Sequence, residues 1–210
     1  MTTSHGKTGP LTDTAATLRD LGLPVDDDYS TLDPARLLDA WQPDGAIWYA
    51  HACCSAGSDG SSIYEGLLEP GSWADQVLTG IAGIGAHVAP LPEALLGAPR
   101  PLRAFIGHVE PTFDWTIQNP YNGQKLTSSI RTGLYDGLFR PAAVGLALRE
   151  TYAHVGELFA ERDSAYRAFD DGEDTAGVAM ATTLAARDRQ SMVVLGDPTV
   201  GLPPLPSRAG

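Results

Sequence analysis

Cations are scarce in this chain: Lys and Arg together number 14 against 26 Asp and Glu in 210 residues, for a formal net charge of −12 and a pI near 4.6. Binding a phosphate backbone needs a basic stripe that releases counterions, and nothing here supplies one, which argues against a nucleic-acid partner. Long apolar runs are missing too. No stretch approaches the ~20 residues that cross a bilayer. Met1 is followed by Thr2, Thr3, Ser4, His5 and Gly6 rather than by a basic and then an apolar region, so the expectation is a cytoplasmic protein without membrane contact. Cysteine is confined to Cys53 and Cys54. Neighbours cannot close a long loop, so there is no disulfide framework, and a reducing compartment fits them. No Cys-x2-Cys pair occurs, and adjacent cysteines seldom converge on one tetrahedral ion. No metal is therefore expected, although His51 and His108 add nitrogen donors. Ser4 and Ser55 lack the Gly-x-Ser-x-Gly setting of a serine nucleophile.

What is present suits one domain of α/β class. The length allows a well-buried core but not two comfortable domains. Residues 11–23 carry helical spacing through Leu11, Ala15, Leu18 and Leu21 and stop at Gly22 and Pro24. Asp33-Pro34 caps a second helix with Leu37, Leu38 and Trp41 on one face. Residues 47–52 read as a buried strand, and 57–62, rich in Gly, Ser and Asp, as a loop at its end. Further helices are expected over 73–86, 92–96, 124–140, 141–169 and 175–189. Strands are expected over 103–109 and 191–196, and residues 203–210 form a Pro-rich tail.

The first strand ends in Cys53 and Cys54. At that edge of an open α/β sheet ligands sit and reactive side chains are displayed. His5-Gly6 lies 48 residues upstream of Cys53. A thiol attacks only as thiolate, so an imidazole near it makes a Cys–His dyad. The plain alternative is an inert buried cysteine and a histidine in a frayed tail. Side chains alternate along a strand, so only one of the two cysteines can face His5 while the other packs inward. Cys53 is preferred over Cys54 because it directly follows the apolar block. His108 and Glu110 end the neighbouring strand and are candidates for substrate contact, against the simpler reading of a strand histidine bonded to a carbonyl. The aromatic connection containing Phe113, Trp115 and Tyr121 either lines a pocket or packs under a loop.

Thr3-Ser4-His5-Gly6 resembles the strand-terminal His-Gly of caspase-like cysteine peptidases, a group that includes caspases, gingipains, separase and bacterial CHAT domains. The block 47–53, ending in Ala52-Cys53, is similar to their apolar strand ending in Ala-Cys. The small turn Cys54-Ser55-Ala56-Gly57 follows as theirs does, and Leu195-Gly196-Asp197-Pro198-Thr199 is similar to the closing strand of gingipain-like and CHAT-like chains. A His–Cys spacing near 50 is also that of caspases. The resemblance implies a three-layer α/β/α fold over residues 1–202 with a mostly parallel sheet, lacking the family's first two strands. It implies a His5–Cys53 (or Cys54) dyad, with backbone N–H groups near Gly6 and the cysteine as oxyanion hole, a polypeptide substrate and no cofactor; since arginine-specific relatives carry an acid in their primary specificity pocket, it makes Asp59 a candidate for that role, with Glu110 and Asp114 as alternatives. A partner chain or missing N-terminal segment is then expected to cover the open sheet edge. The alternative is a non-catalytic CHAT-like interaction module.

Overall fold

The computed structural model describes residues 2, 3, 5–9, 11–113, 117, 118, 123–125, 127–140 and 142–202. Trp115, Asp114, Tyr121 and the Pro-rich tail 203–210 fall outside them.

A four-stranded mixed sheet lies at the centre, in the order β1 (Thr2–Thr3), β2 (Ile47–His51), β5 (Ala104–His108) and β6 (Met192–Gly196). β2 runs parallel to β1 and to β5, and β6 closes the sheet antiparallel to β5. β2 and β5 form because both are short, nearly unbroken apolar runs, the pattern expected of strands covered on both faces. Their side chains alternate between two cores. Tyr49, Ala104, Ile106 and Met192 point to one face, where they meet Ile130, Leu134, Val144 and Leu148. Ala50 and Phe105 point to the other, against Leu91, Leu95 and Leu102, with Leu37, Leu38 and Trp41 at the margin.

The covering helices arise from local signals. In α1 (Thr14–Asp20), Asp13 accepts from the Ala16 N–H, and α2 (Pro34–Ala40) has Asp33 accepting from Ala35 and Pro34 in its first turn, so each satisfies N–H groups that the helix start leaves open. α3 (Trp73–Gly83) is capped by Ser72, and α4 (Pro90–Leu96) starts on a proline. Where 57–62 is expected to be loop only, Gly57–Ser58 (β3) pairs antiparallel with His87–Val88 (β4). The expected helix over 124–140 begins later: α5 (Ser128–Arg131) passes into a π-helical turn over Thr132–Gly137. The expected single helix over 141–169 is broken into α6 (Val144–Ala147) and α7 (Arg149–Asp170) at Leu148, whose side chain is drawn into the core. α7 lies against α8 (Ala176–Gln190). Among the described residues, no helix is long and apolar enough to cross a membrane.

Candidate functional site

The register Thr2↔Ala50 and Thr3↔His51 runs β1 beside β2. Just beyond the carboxyl ends of these two parallel strands, Gly6 comes up against the Cys53 backbone. The backbones close up there. A Cβ on Gly6 would lie 2.0 Å from the Cys53 carbonyl oxygen, a contact only glycine permits. From the next segment, Gly22 (φ +65°) packs equally close to the carbonyl oxygen of Cys54. The Lys7 N–H donates to Leu23 O at 3.0 Å and the Gly22 N–H to Lys7 O at 2.8 Å, which ties these segments together.

β2 ends in a tight turn. Ser55 N–H donates to Ala52 O, Gly57 N–H donates to Cys54 O, and Cys54 itself takes a positive φ of 51°. That conformation is uncommon for a residue with a Cβ and marks a position fixed by its surroundings. It turns the Cys54 side chain, which is 0 % exposed, into a cluster with Leu21 and Ile81, and burial drives its thiol well above the ordinary range. Cys53 points the other way. It is half-buried, and its Sγ–H donates to the Thr112 carbonyl oxygen at 3.2 Å. Burial pushes this thiol up as well; the Thr112 backbone pulls against it, the charge of Asp188 adds to the rise, and the backbone of Cys53 and Gly6 favours the thiolate. His5 is exposed, and no hydrogen bond joins it to Cys53 among the described residues.

The remaining candidates separate. His108, proposed for substrate contact, is instead an interior residue, 1 % exposed, and its ring is engaged at both nitrogens: Nδ1 with Ser191 Oγ at 2.8 Å and Nε2 with His51 Nδ1 at 3.2 Å. Ser191 spends its single proton on the Asp188 carbonyl oxygen at 2.7 Å. His108 Nδ1–H must then be the donor to Ser191, and His51 Nδ1–H the donor to His108. Desolvation lowers both rings, His108 to about 3, so both are neutral. Glu110 is also inside, 3 % exposed. Its carboxylate accepts from Ile63 N–H at 3.0 Å and Ser62 Oγ at 3.3 Å, and burial raises it to about 7. Its carbonyl oxygen receives the Cys54 N–H at 3.0 Å, so Glu110 braces the cysteine corner from behind. Asp59 is exposed and accepts from the Gly60 N–H. A surface cavity of about 360 Å³, lined by Ser62, Tyr64, Glu65 and Asp75 among others, opens beside this loop. Phe113 packs edge-on against Tyr64, centroids 5.8 Å apart. Trp115 lies outside the described residues.

Two residues that sequence reasoning passed over sit close to Cys53: Thr112, which receives the thiol, and Asp188, which holds Thr112. One signal for Asp188 was available. An acid in the last turn of a helix opposes the helix dipole and needs a local reason. Among the described residues, no group of three His, Cys, Asp or Glu side chains is placed to hold a metal ion. No protein-family model, no curated protein and no solved structure matches this chain.

Proposed function

We propose that the chain is a caspase-like cysteine peptidase in which Cys53 is the nucleophile and His5 its proton acceptor. The observation that supports this is the meeting of the two strand ends: beyond the parallel pair β1–β2, Gly6, the residue after His5, packs closely against the Cys53 backbone. Helices on both faces of a sheet whose His-bearing and Cys-bearing strands are parallel neighbours, closed by an antiparallel last strand, agree with a three-layer caspase-like domain. Two unpaired thiols suit a cytoplasmic setting.

In the reaction, the Cys53 thiol gives its proton to the His5 imidazole and the sulfur attacks the peptide carbonyl carbon. The N–H groups of Gly6 and Cys53 receive the developing oxyanion. The C–N bond breaks as the imidazolium hands its proton to the departing amine, leaving a thioester. Water then loses a proton to His5 and attacks the thioester, which releases the carboxylic acid and restores the thiol.

A second reading has its own support. With the Cys53 S–H on Thr112 O and no bond to His5, the corner also suits a non-catalytic interaction module. A peptide probe bearing a thiol-reactive warhead separates the two. Covalent labelling of Cys53 that is lost in His5→Ala supports the peptidase. A folded sample that no peptide probe labels, or that labels equally in His5→Ala, favours the module.

A further inference from the structure

Outside the His–Cys pair, one buried carboxylate controls the loop that receives the thiol. Asp188 lies in the last turn of α8 and is 0 % exposed. Its Oδ1 accepts three hydrogen bonds: from Thr112 Oγ1 at 2.7 Å, Phe113 N–H at 3.0 Å and Tyr64 OH at 3.1 Å. Thr112 is therefore held at its side chain by Asp188, and with its carbonyl it holds the S–H of Cys53. That last contact belongs to one protonation state. A carbonyl oxygen accepts from a thiol but repels a thiolate, so ionisation of Cys53 has to break it.

We propose that Asp188 is the positioning residue of Cys53, acting through the Thr112–Phe113 peptide to hold the sulfur on the Thr112 carbonyl in the resting protein. This rests on the reading of Cys53 as nucleophile and adds the device that keeps it quiescent. For Cys53 to pass its proton to His5, the 112–113 loop must give way at Asp188 or the thiol must rotate off the Thr112 carbonyl. Among the described residues, the titratable groups that bear electrostatically on Cys53 include Asp188 from α8, Tyr64 from the loop after β3 and Cys54 beside it. Among them, Asp188 is linked by hydrogen bonds to the residue that holds the sulfur. A carboxylate that merely anchored α8 would change the melting temperature and leave the thiol's ionisation where it was.

The test is the rate of iodoacetamide alkylation at Cys53 of the full chain between pH 6 and pH 10, read by peptide mass spectrometry, alongside thermal melts. Asp188→Asn keeps the acceptor and removes the charge. It is expected to move the alkylation midpoint down by about one pH unit, about tenfold faster labelling at pH 7. Thr112→Val deletes the hydroxyl bond to Asp188, together with a long 3.4 Å contact to the Phe113 carbonyl oxygen, and is expected to speed labelling about threefold or more. Thr112→Ser restores the wild-type profile. Tyr64→Phe removes a different donor from the same oxygen and leaves the profile in place. A folded Asp188→Asn with an unchanged profile overturns the proposal, as does a Tyr64→Phe that shifts it equally. If Asp188→Asn does not fold, Thr112→Val decides, with unchanged labelling counting against the proposal. The readout is independent of turnover. Shifted profiles without His5-dependent probe labelling leave Asp188 in its role and remove the peptidase; His5-dependent labelling with unshifted profiles does the reverse.

Discussion

His108 meets His51 edge to face, ring centroids 4.9 Å apart, with Nε2 of the first 3.2 Å from Nδ1 of the second. The pair is neutral and buried behind the cysteine corner. A proton added to His108 Nε2 would oppose the N–H of His51 and place a charge in an apolar layer. Folded values lie below the unfolded 6.5 for both rings, so between the folded and unfolded values the unfolded chain binds more protons and stability falls as pH falls. The expected loss from this pair is on the order of 2–4 kcal/mol between pH 6.5 and pH 4. Urea titrations at pH 7.5, 6, 5 and 4 check it. His108→Gln should flatten that slope, and a slope unchanged by the substitution would count against a buried neutral pair.

Glu110 works in the opposite sense. Burial raises its carboxyl from 4.5 to about 7, so the folded state binds the extra proton in that window. Its contribution is present below about pH 4.5 and lost as pH rises through 7. Wild-type protein should therefore show a shallower pH dependence between 4.5 and 6.5 than the histidine pair alone dictates. Glu110→Gln keeps an acceptor for the Ile63 N–H and removes the titration. Relative to wild type it should gain on the order of 1–3 kcal/mol between pH 4.5 and pH 8. A constant difference across that range would show that the buried carboxyl does not titrate there.

Gly6 is the residue on which the two strand ends close. Gly6→Ala puts a methyl carbon 2.0 Å from the Cys53 carbonyl oxygen, and backbone has to move because no flexible side chain can yield. A cost of ~2–3 kcal/mol in stability is expected. Displacing the Gly6 N–H and His5 from Cys53 by about 1 Å should lower peptide-probe labelling about a hundredfold. Gly9→Ala, whose nearest foreign atom would be the Leu11 nitrogen at 3.4 Å, is the control and should melt near wild type. Equal behaviour of the two variants would remove Gly6 from the site.

Much of the frame was legible because it follows from short-range pattern. The apolar runs ending at Cys53 and His108 gave β2 and β5, and Asp33-Pro34 gave the start of α2. What the pattern cannot carry is which polar residue goes inside. His108 and Glu110, two apart at the end of β5, read as cleft residues because a polar strand end usually faces water. Here Ser191 and His51 partner the first, and Ile63 and Ser62 the second, so both find hydrogen bonds inside the fold. No motif or spacing marks Asp188 out among the chain's helical acids. Its donors come from residues 64, 112 and 113, far away in sequence, and no window of the sequence places them together. The β3–β4 ribbon was hidden likewise, since two-residue strands have no period to detect.

The two cysteines should behave as different residues. Cys54 is packed with Leu21 and Ile81 and its thiol is driven far up, so it does not react unless the fold opens. Its side chain is small, and Cys54→Ala removes one buried sulfur for about 1 kcal/mol of stability. Nothing at Cys53 is lost by that change, because the Cys54 N–H that donates to Glu110 is retained. Peptide-probe labelling should therefore persist in Cys54→Ala and vanish in Cys53→Ala, with iodoacetamide adducts of the native protein confined to Cys53. The elevated thiol of Cys53 sets the pH course of that alkylation: slow at neutrality and rising as pH climbs above the ordinary range for cysteine. A folded Cys54→Ala that loses peptide-probe labelling would transfer the nucleophile to Cys54, and would require the corner to rebuild around its positive φ before any thiol could face His5.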